Sequence, residues 1–222
     1  MMNNLFSIFD PTSSTFNMKF NWMSMFIVVF ILQYNFWILN NPLNKFINMM
    51  MMLLYKEMKS MIYMNKPIIM FTSIMMVIFI NNFMGLFPYI FTSTSHILIS
   101  LFLALLLWFS FNLYGWIISP SHMFIHLVPI GTPMLLMPFM VIIESISNII
   151  RPITLSVRLM ANMTAGHLLI SLMSSLCEKM YLSLNIIIVI IQTSLMILEL
   201  AVALIQSYVF TTLASLYYNE MN

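Results

Sequence analysis

Long apolar runs separated by short polar clusters set the pattern of this chain. A hydrocarbon core of about 30 Å is crossed by about 20 apolar residues in a helix, because a helix satisfies its own backbone. On that rule residues 22–39 predict a first transmembrane helix, 67–91 a second and 96–119 a third, with a short polar turn at 92–95. Residues 1–21 form an N-terminal segment without the basic pattern of a secretory or transit address. Over 42–64 the pattern changes: Phe46, Met50, Leu53, Leu54, Glu57 and Met61 recur at helical spacing with Lys between them. This predicts an amphipathic helix lying on the membrane surface. Pro120, Pro129, Gly131 and Pro133 predict an irregular stretch over 120–133.

The last two helical stretches, 133–177 and 182–218, are longer than a crossing requires, about 66 Å and 55 Å at 1.5 Å per residue. Both are expected to slant strongly, or to bend at Pro138, Pro152 or Gly166, in a hairpin that turns near Glu178, Lys179 and Met180. The fold class that follows is an all-α integral membrane protein in one membrane domain. It has three near-perpendicular transmembrane helices, one amphipathic surface helix, and a C-terminal hairpin of two long, strongly tilted helices.

Composition agrees: 62% of the 222 residues are apolar and 6% are charged, against about a quarter charged in soluble domains. A formal charge of +2, dispersed along the chain, lacks the phosphate footprint that nucleic acid requires. Lys45, Lys56, Lys59 and Lys66 crowd residues 40–66. Lys-rich short loops mark the cytoplasmic or matrix side, which places the N-terminus on the opposite side and the C-terminus on the Lys-rich one. The single Cys177 excludes an internal disulfide and receives no role. The wealth of Met, Phe, Ile and Asn with few Gly fits an AT-rich organelle gene.

Candidate chemistry rests on charge within apolar helices, where it is costly and faces protein or water. Glu144, Arg151 and Arg158 recur at intervals of seven, so each step drifts only about 20° around the helix and all three share one face. Ser147, Thr154 and Asn162 fall on the same stripe, with Ala161 and Ala165 beside it, whereas His167 points about 180° from Arg158. In the last helix Asn185, Gln192, Glu199 and Gln206 also recur at sevens. His167 and Glu199 meet across the hairpin only if its helices are offset. Arg151 is placed to pair with Glu144 or to reach for the interface. Polar residues at such spacing also serve simply to hold helices together.

Other polar residues carry less. His122 and His126 are four apart, but no third ligand is near, so no metal is expected. His96 reads as a residue of a helix cap, and the Met run at 49–52 as packing. The chain contains no G-x-x-x-x-G-K loop, G-x-S-x-G elbow or dinucleotide fingerprint. No nucleotide chemistry or cofactor is expected of the chain itself.

The string RLMANMTAGH at 158–167, with Arg151-Pro152 upstream, and ELAVALIQSYVF at 199–210 resemble the subunit a family of F-type ATP synthases. The opening MMNNLFSIFDPTSS is similar to its insect mitochondrial form. The resemblance implies a multi-pass subunit of the mitochondrial inner membrane, with its N-terminus toward the intermembrane space and the Lys-rich segment toward the matrix. It implies a stator, itself not an enzyme, that takes protons as substrate and is pressed against a ring of subunit c among other membrane and stalk subunits and lipids. It makes Arg158 the arginine that faces the ring, and Asn162, His167, Glu199 and Gln206 the lining of a half-channel from the intermembrane space. Glu144 falls where the family lines the matrix half-channel. Bacterial relatives exchange the acid and imidazole found at His167 and Glu199, and the family often has Gly at the place of Ala161.

Two other classes stand beside this one. A secondary transporter would use Arg158 and Arg151 to bind an anion near the midplane, but it should show repeated halves, which the sequence lacks. A structural membrane subunit of a respiratory complex would use the polar stripes only to join helices.

Overall fold

A computed structural model describes residues 6, 9–12, 19–26, 42–62, 67–87, 90–128, 133–134, 136–177 and 182–221. They form α1 (Pro42–Met61), α2 (Ile68–Gly85), α3 (Ile97–Ile118), α4 (Pro120–His126), α5 (Met137–Cys177) and α6 (Leu182–Met221), with 3-10 turns at Phe20–Phe26 and Ser93–Ser95. There is no strand among the described residues. Four helices, α2, α3, α5 and α6, are long and apolar enough to cross a membrane. Of the crossing expected at 22–39, residues 27–39 lie outside the described residues, and the segment leading into it is 3-10 helix. The expected hairpin turn at Glu178, Lys179 and Met180, and the residues Lys66, Pro129 and Gly131, also lie outside the described residues.

The expectation of an irregular stretch from Pro120 is corrected by α4, which starts at that proline. The first position of a helix has no use for an amide N–H, so Pro favours the start of a helix there. His122 and His126 fall on this helix, and their side chains lie outside the described ones. Inside α5 the buried Pro152 removes one ladder donor, yet the helix continues through it and through Gly166. With 41 and 40 residues, α5 and α6 are each about 60 Å long, twice the hydrocarbon thickness.

Helices α5 and α6 run antiparallel, with Arg151 opposite Glu220, Asn162 opposite Gln206 and His167 opposite Glu199. Helices α2 and α3 pack onto this pair. Phe71 of α2, Phe111 of α3 and Tyr218 of α6 form a buried aromatic trio with ring centroids 5.6–6.0 Å apart. Each such pair contributes about 0.5–1.5 kcal/mol beyond its area. On α6 a stripe of small residues, Ala203, Ser207, Thr211 and Ser215, is almost fully buried, which lets neighbouring backbones approach closely. The hydroxyls return to their own helix, Ser207 to the Leu204 carbonyl at 2.8 Å and Ser215 to that of Thr212 at 2.8 Å. They therefore pack without asking for partners across the interface.

Helix α1 is amphipathic, but it turns another face inward than the one its spacing suggested. Met58 is buried, as is Ile62 just beyond the helix, while Ile47, Met51 and Leu54 pack against Met76 and Ile80 of α2. Phe46, Leu53 and Met61 stay exposed. The spacing of apolar residues marked two apolar faces as one. The bundle takes one face and leaves the other for lipid or a neighbouring protein. Exposed Ile and Leu side chains likewise line the outer sides of α5 and α6, among them Ile146, Ile150, Ile190 and Ile197.

Candidate functional site

Glu199 lies in the middle of α6 with 5% of its surface exposed, and its carboxylate faces α5. His167 Nε2 stands 3.8 Å from Glu199 Oε1. That is too long for a hydrogen bond, and a single water or a small shift would join the two groups. About two turns away along α6, Asn162 Nδ2 donates to Gln206 Oε1 at 2.9 Å. The offset that a His167–Glu199 meeting required is thus present, and it brings four of the expected site residues into the α5–α6 interface. An imidazole and a carboxylate this close suit proton exchange.

Gly166 makes this geometry possible. A Cβ built there would stand 2.7 Å from Glu199 Cδ and 3.1 Å from Cγ, and closer still to Oε1. A methyl group there would force the end of the Glu199 side chain to shift. In the sequence Gly166 suggested a bend; its role as the floor under Glu199 needed the partner helix.

Arg158 is exposed on the outer side of α5 among Thr154, Val157, Ala161 and Ala165, and it forms no ion pair among the described residues. The stripe expected to join it to Glu144, Arg151 and Asn162 is divided. Asn162 turns to Gln206, and Arg151 turns to α6, where it pairs with Glu220 and lies 5.0 Å over the Tyr217 ring. Glu144 approaches Arg151 at 3.9 Å. The drift of about 20° over the seven residues from Arg151 to Arg158 is enough to carry Arg158 past the edge of the α6 contact. Along the axis of α5, Arg158 lies about 21 Å from Glu144 and about 14 Å from His167, so it separates the two. Glu220 and Tyr217 went unremarked in the sequence, although an acid in the last turn of a greasy helix is itself a signal.

Buried polar atoms without a hydrogen-bond partner gather at the Glu199 end. Eight of the ten such side-chain atoms among the described residues belong to Asn82, Thr94, His96, His167, Glu199 and Gln206. Buried groups of this kind are met by other protein groups or by ordered water. His96 stands at the N-cap of α3 but makes no side-chain cap bond; its ring packs on Trp22 and Phe91 at 5.1 and 5.2 Å. Phe9 meets the His167 ring edge-on at 6.5 Å.

Comparison with known proteins bears on the whole chain. The sequence profile of the ATP synthase A chain family matches residues 2–219. Proteins named ATP synthase subunit a are similar over the full length of both chains: 52% identical in Aedes albopictus, 50% in Anopheles gambiae and 51% in Drosophila melanogaster. With a family match over residues 2–219 and relatives similar over their full length, this chain belongs to the ATP synthase A chain family.

Proposed function

We propose that this chain is the proton-translocating stator subunit of an ATP synthase membrane sector in the mitochondrial inner membrane. Its N-terminus would lie toward the intermembrane space and its Lys-rich segment toward the matrix. The observation that carries the reading is the separation of charge across the hairpin: a lone guanidinium on the exposed face of α5, and an acid–imidazole pair buried between α5 and α6 about 14 Å away along the axis. A permanent cation left bare in an apolar surface needs an anionic visitor. Carboxylates of a subunit c ring, passing one at a time, are that visitor.

A ring carboxylate surrounded by lipid holds a proton, because burial disfavours its charged form. Beside Arg158 the opposite charge favours ionisation, and the proton leaves. Glu199, His167, Asn162 and Gln206 line the inlet that reloads the carboxylate, and Glu144 lies on the exit path. Because Arg158 lies between the two along α5, protons cannot pass directly from one to the other and must travel with the ring. Each proton supplies about 2.3 kcal/mol per 100 mV of membrane potential, so several are spent per ATP made elsewhere in the complex.

Arg158→Ala is the decisive experiment. Assembled complexes carrying it should make no ATP from a proton gradient. Normal synthesis by such complexes would overturn the proposal.

A further inference from the structure

Asn82 has no place in the machinery described so far, yet it is fully buried, and both atoms of its amide lack a partner. Such a group costs about 1–3 kcal/mol when left unmade. A leucine would fill the same space without that cost, so the amide calls for an explanation.

Its surroundings follow from the packing of α2. Phe71, Met75, Ile78, Asn82 and Gly85 recur at alternating steps of four and three, which places them on one stripe. Near one end of the stripe Phe71 meets Tyr218 of α6, and at the other a Cβ on Gly85 would stand 3.6 Å from Met163 of α5. Asn82 is the only polar side chain of the five, and the stripe faces the α5–α6 hairpin. From Phe71 to Asn82 is about 16 Å of helix, and the same distance along α6 from Tyr218 reaches Ser207 and Gln206. The register of Gly85 on Met163, beside Asn162, gives the same level independently.

At that level Gln206 offers a complementary group, and the Thr94 hydroxyl is its nearest rival. Gln206 accepts from Asn162 with Oε1, but its Nε2 is buried without an acceptor. The Ser207 hydroxyl is already bound to the Leu204 carbonyl. No neighbouring subunit can touch a side chain with 0% exposure, so the partner of Asn82 comes from inside the bundle, as a side chain or as a buried water. We infer that Asn82 is a positioning residue of the proton inlet: its Oδ1 accepts from Gln206 Nε2, completing an amide relay Asn82–Gln206–Asn162 across α2, α6 and α5. The relay fixes the orientation of Gln206, whose polar atoms then stay aligned with the path through Glu199. This rests on the inlet reading above.

The test uses whole ATP synthase in inner-membrane vesicles, with proton flux measured after removal of the catalytic head and normalised to assembled complex. Asn82→Leu should assemble, since it removes a buried unpaired amide, and should slow flux about ten-fold, the effect of one lost hydrogen bond of about 1.4 kcal/mol. Asn82→Ser, which keeps a hydroxyl acceptor, should recover most of that loss. Asn82→Leu with Gln206→Leu should be no slower than the slower single variant, because both break one relay. Unchanged flux in Asn82→Leu, or single effects that multiply in the double variant, would overturn the inference. If Asn82→Leu does not assemble, Asn82→Val takes its place, and a map of the intact complex decides independently. An Asn82 amide seated on Gln206 supports the relay, and one seated on Thr94, on water alone or on nothing refutes it. Glu199→Gln run in parallel separates the two levels of argument: if it too leaves flux unchanged, the inlet reading itself fails, and not merely the part given to Asn82.

Discussion

Replacing Gly166 with alanine sets two effects against each other. Alanine is favoured over glycine within a helix by about 1 kcal/mol, so α5 alone would gain stability. The new methyl group, however, would lie 2.7 Å from Glu199 Cδ and 3.1 Å from its Cγ, against an ordinary carbon–carbon contact of about 3.5–4.0 Å. The carboxylate has to retreat by about 1 Å. It cannot do so toward open space, because Glu199 is 5% exposed, and a retreat from α5 lengthens a separation from His167 that is already 3.8 Å. Misplacement on that scale costs on the order of 10- to 100-fold where a transfer depends on contact. Gly166→Ala complexes should therefore assemble to normal amounts on native gels, while ATP synthesis and ATP-driven proton pumping fall by that factor. Glu199→Asp also draws the carboxylate back by one methylene, away from His167, so combining it with Gly166→Ala should not restore the rate. Wild-type rates in assembled Gly166→Ala complexes would refute the reasoning, as would a double variant faster than Gly166→Ala alone.

Other outcomes follow from the same contacts. Glu199→Gln keeps the shape of the side chain but removes a proton carrier, so assembly should persist and proton flux should drop at least ten-fold; an unchanged flux would count against its place on the inlet. Arg151→Met leaves Glu144 and Glu220 without their shared cation, and, because these side chains are partly exposed, should destabilise the subunit by only about 1 kcal/mol, read as earlier thermal dissociation. Adding Glu220→Gln should recover part of that loss, and no recovery would show that the pair is not what Arg151 stabilises. Ser207 is fully buried on the small-residue stripe of α6, so Ser207→Ala should be tolerated while Ser207→Leu blocks assembly. A Leu variant that assembles normally would remove the close-approach argument.

Much of the architecture was legible in the residue pattern because a bilayer leaves so few ways to satisfy a backbone. Apolar runs over 67–91 and 96–119 became α2 and α3, and the two overlong stretches became α5 and α6. Recurrence at sevens was enough to pick Glu144, Arg151, Arg158, Glu199 and Gln206 out of an apolar background. It could not say which of them face one another. That depends on the offset and crossing of two helices, which a period along one helix does not contain. Tertiary packing turned Arg151 to Glu220 and Asn162 to Gln206, and left Arg158 bare. It also gave meaning to residues that looked ordinary. Gly166 is required only because Glu199 lies against it, and Asn82 became a question only once every route to a partner outside the bundle was closed. The physical reason is general: sequence fixes which groups cannot rest in lipid, and packing alone decides which neighbour answers each of them.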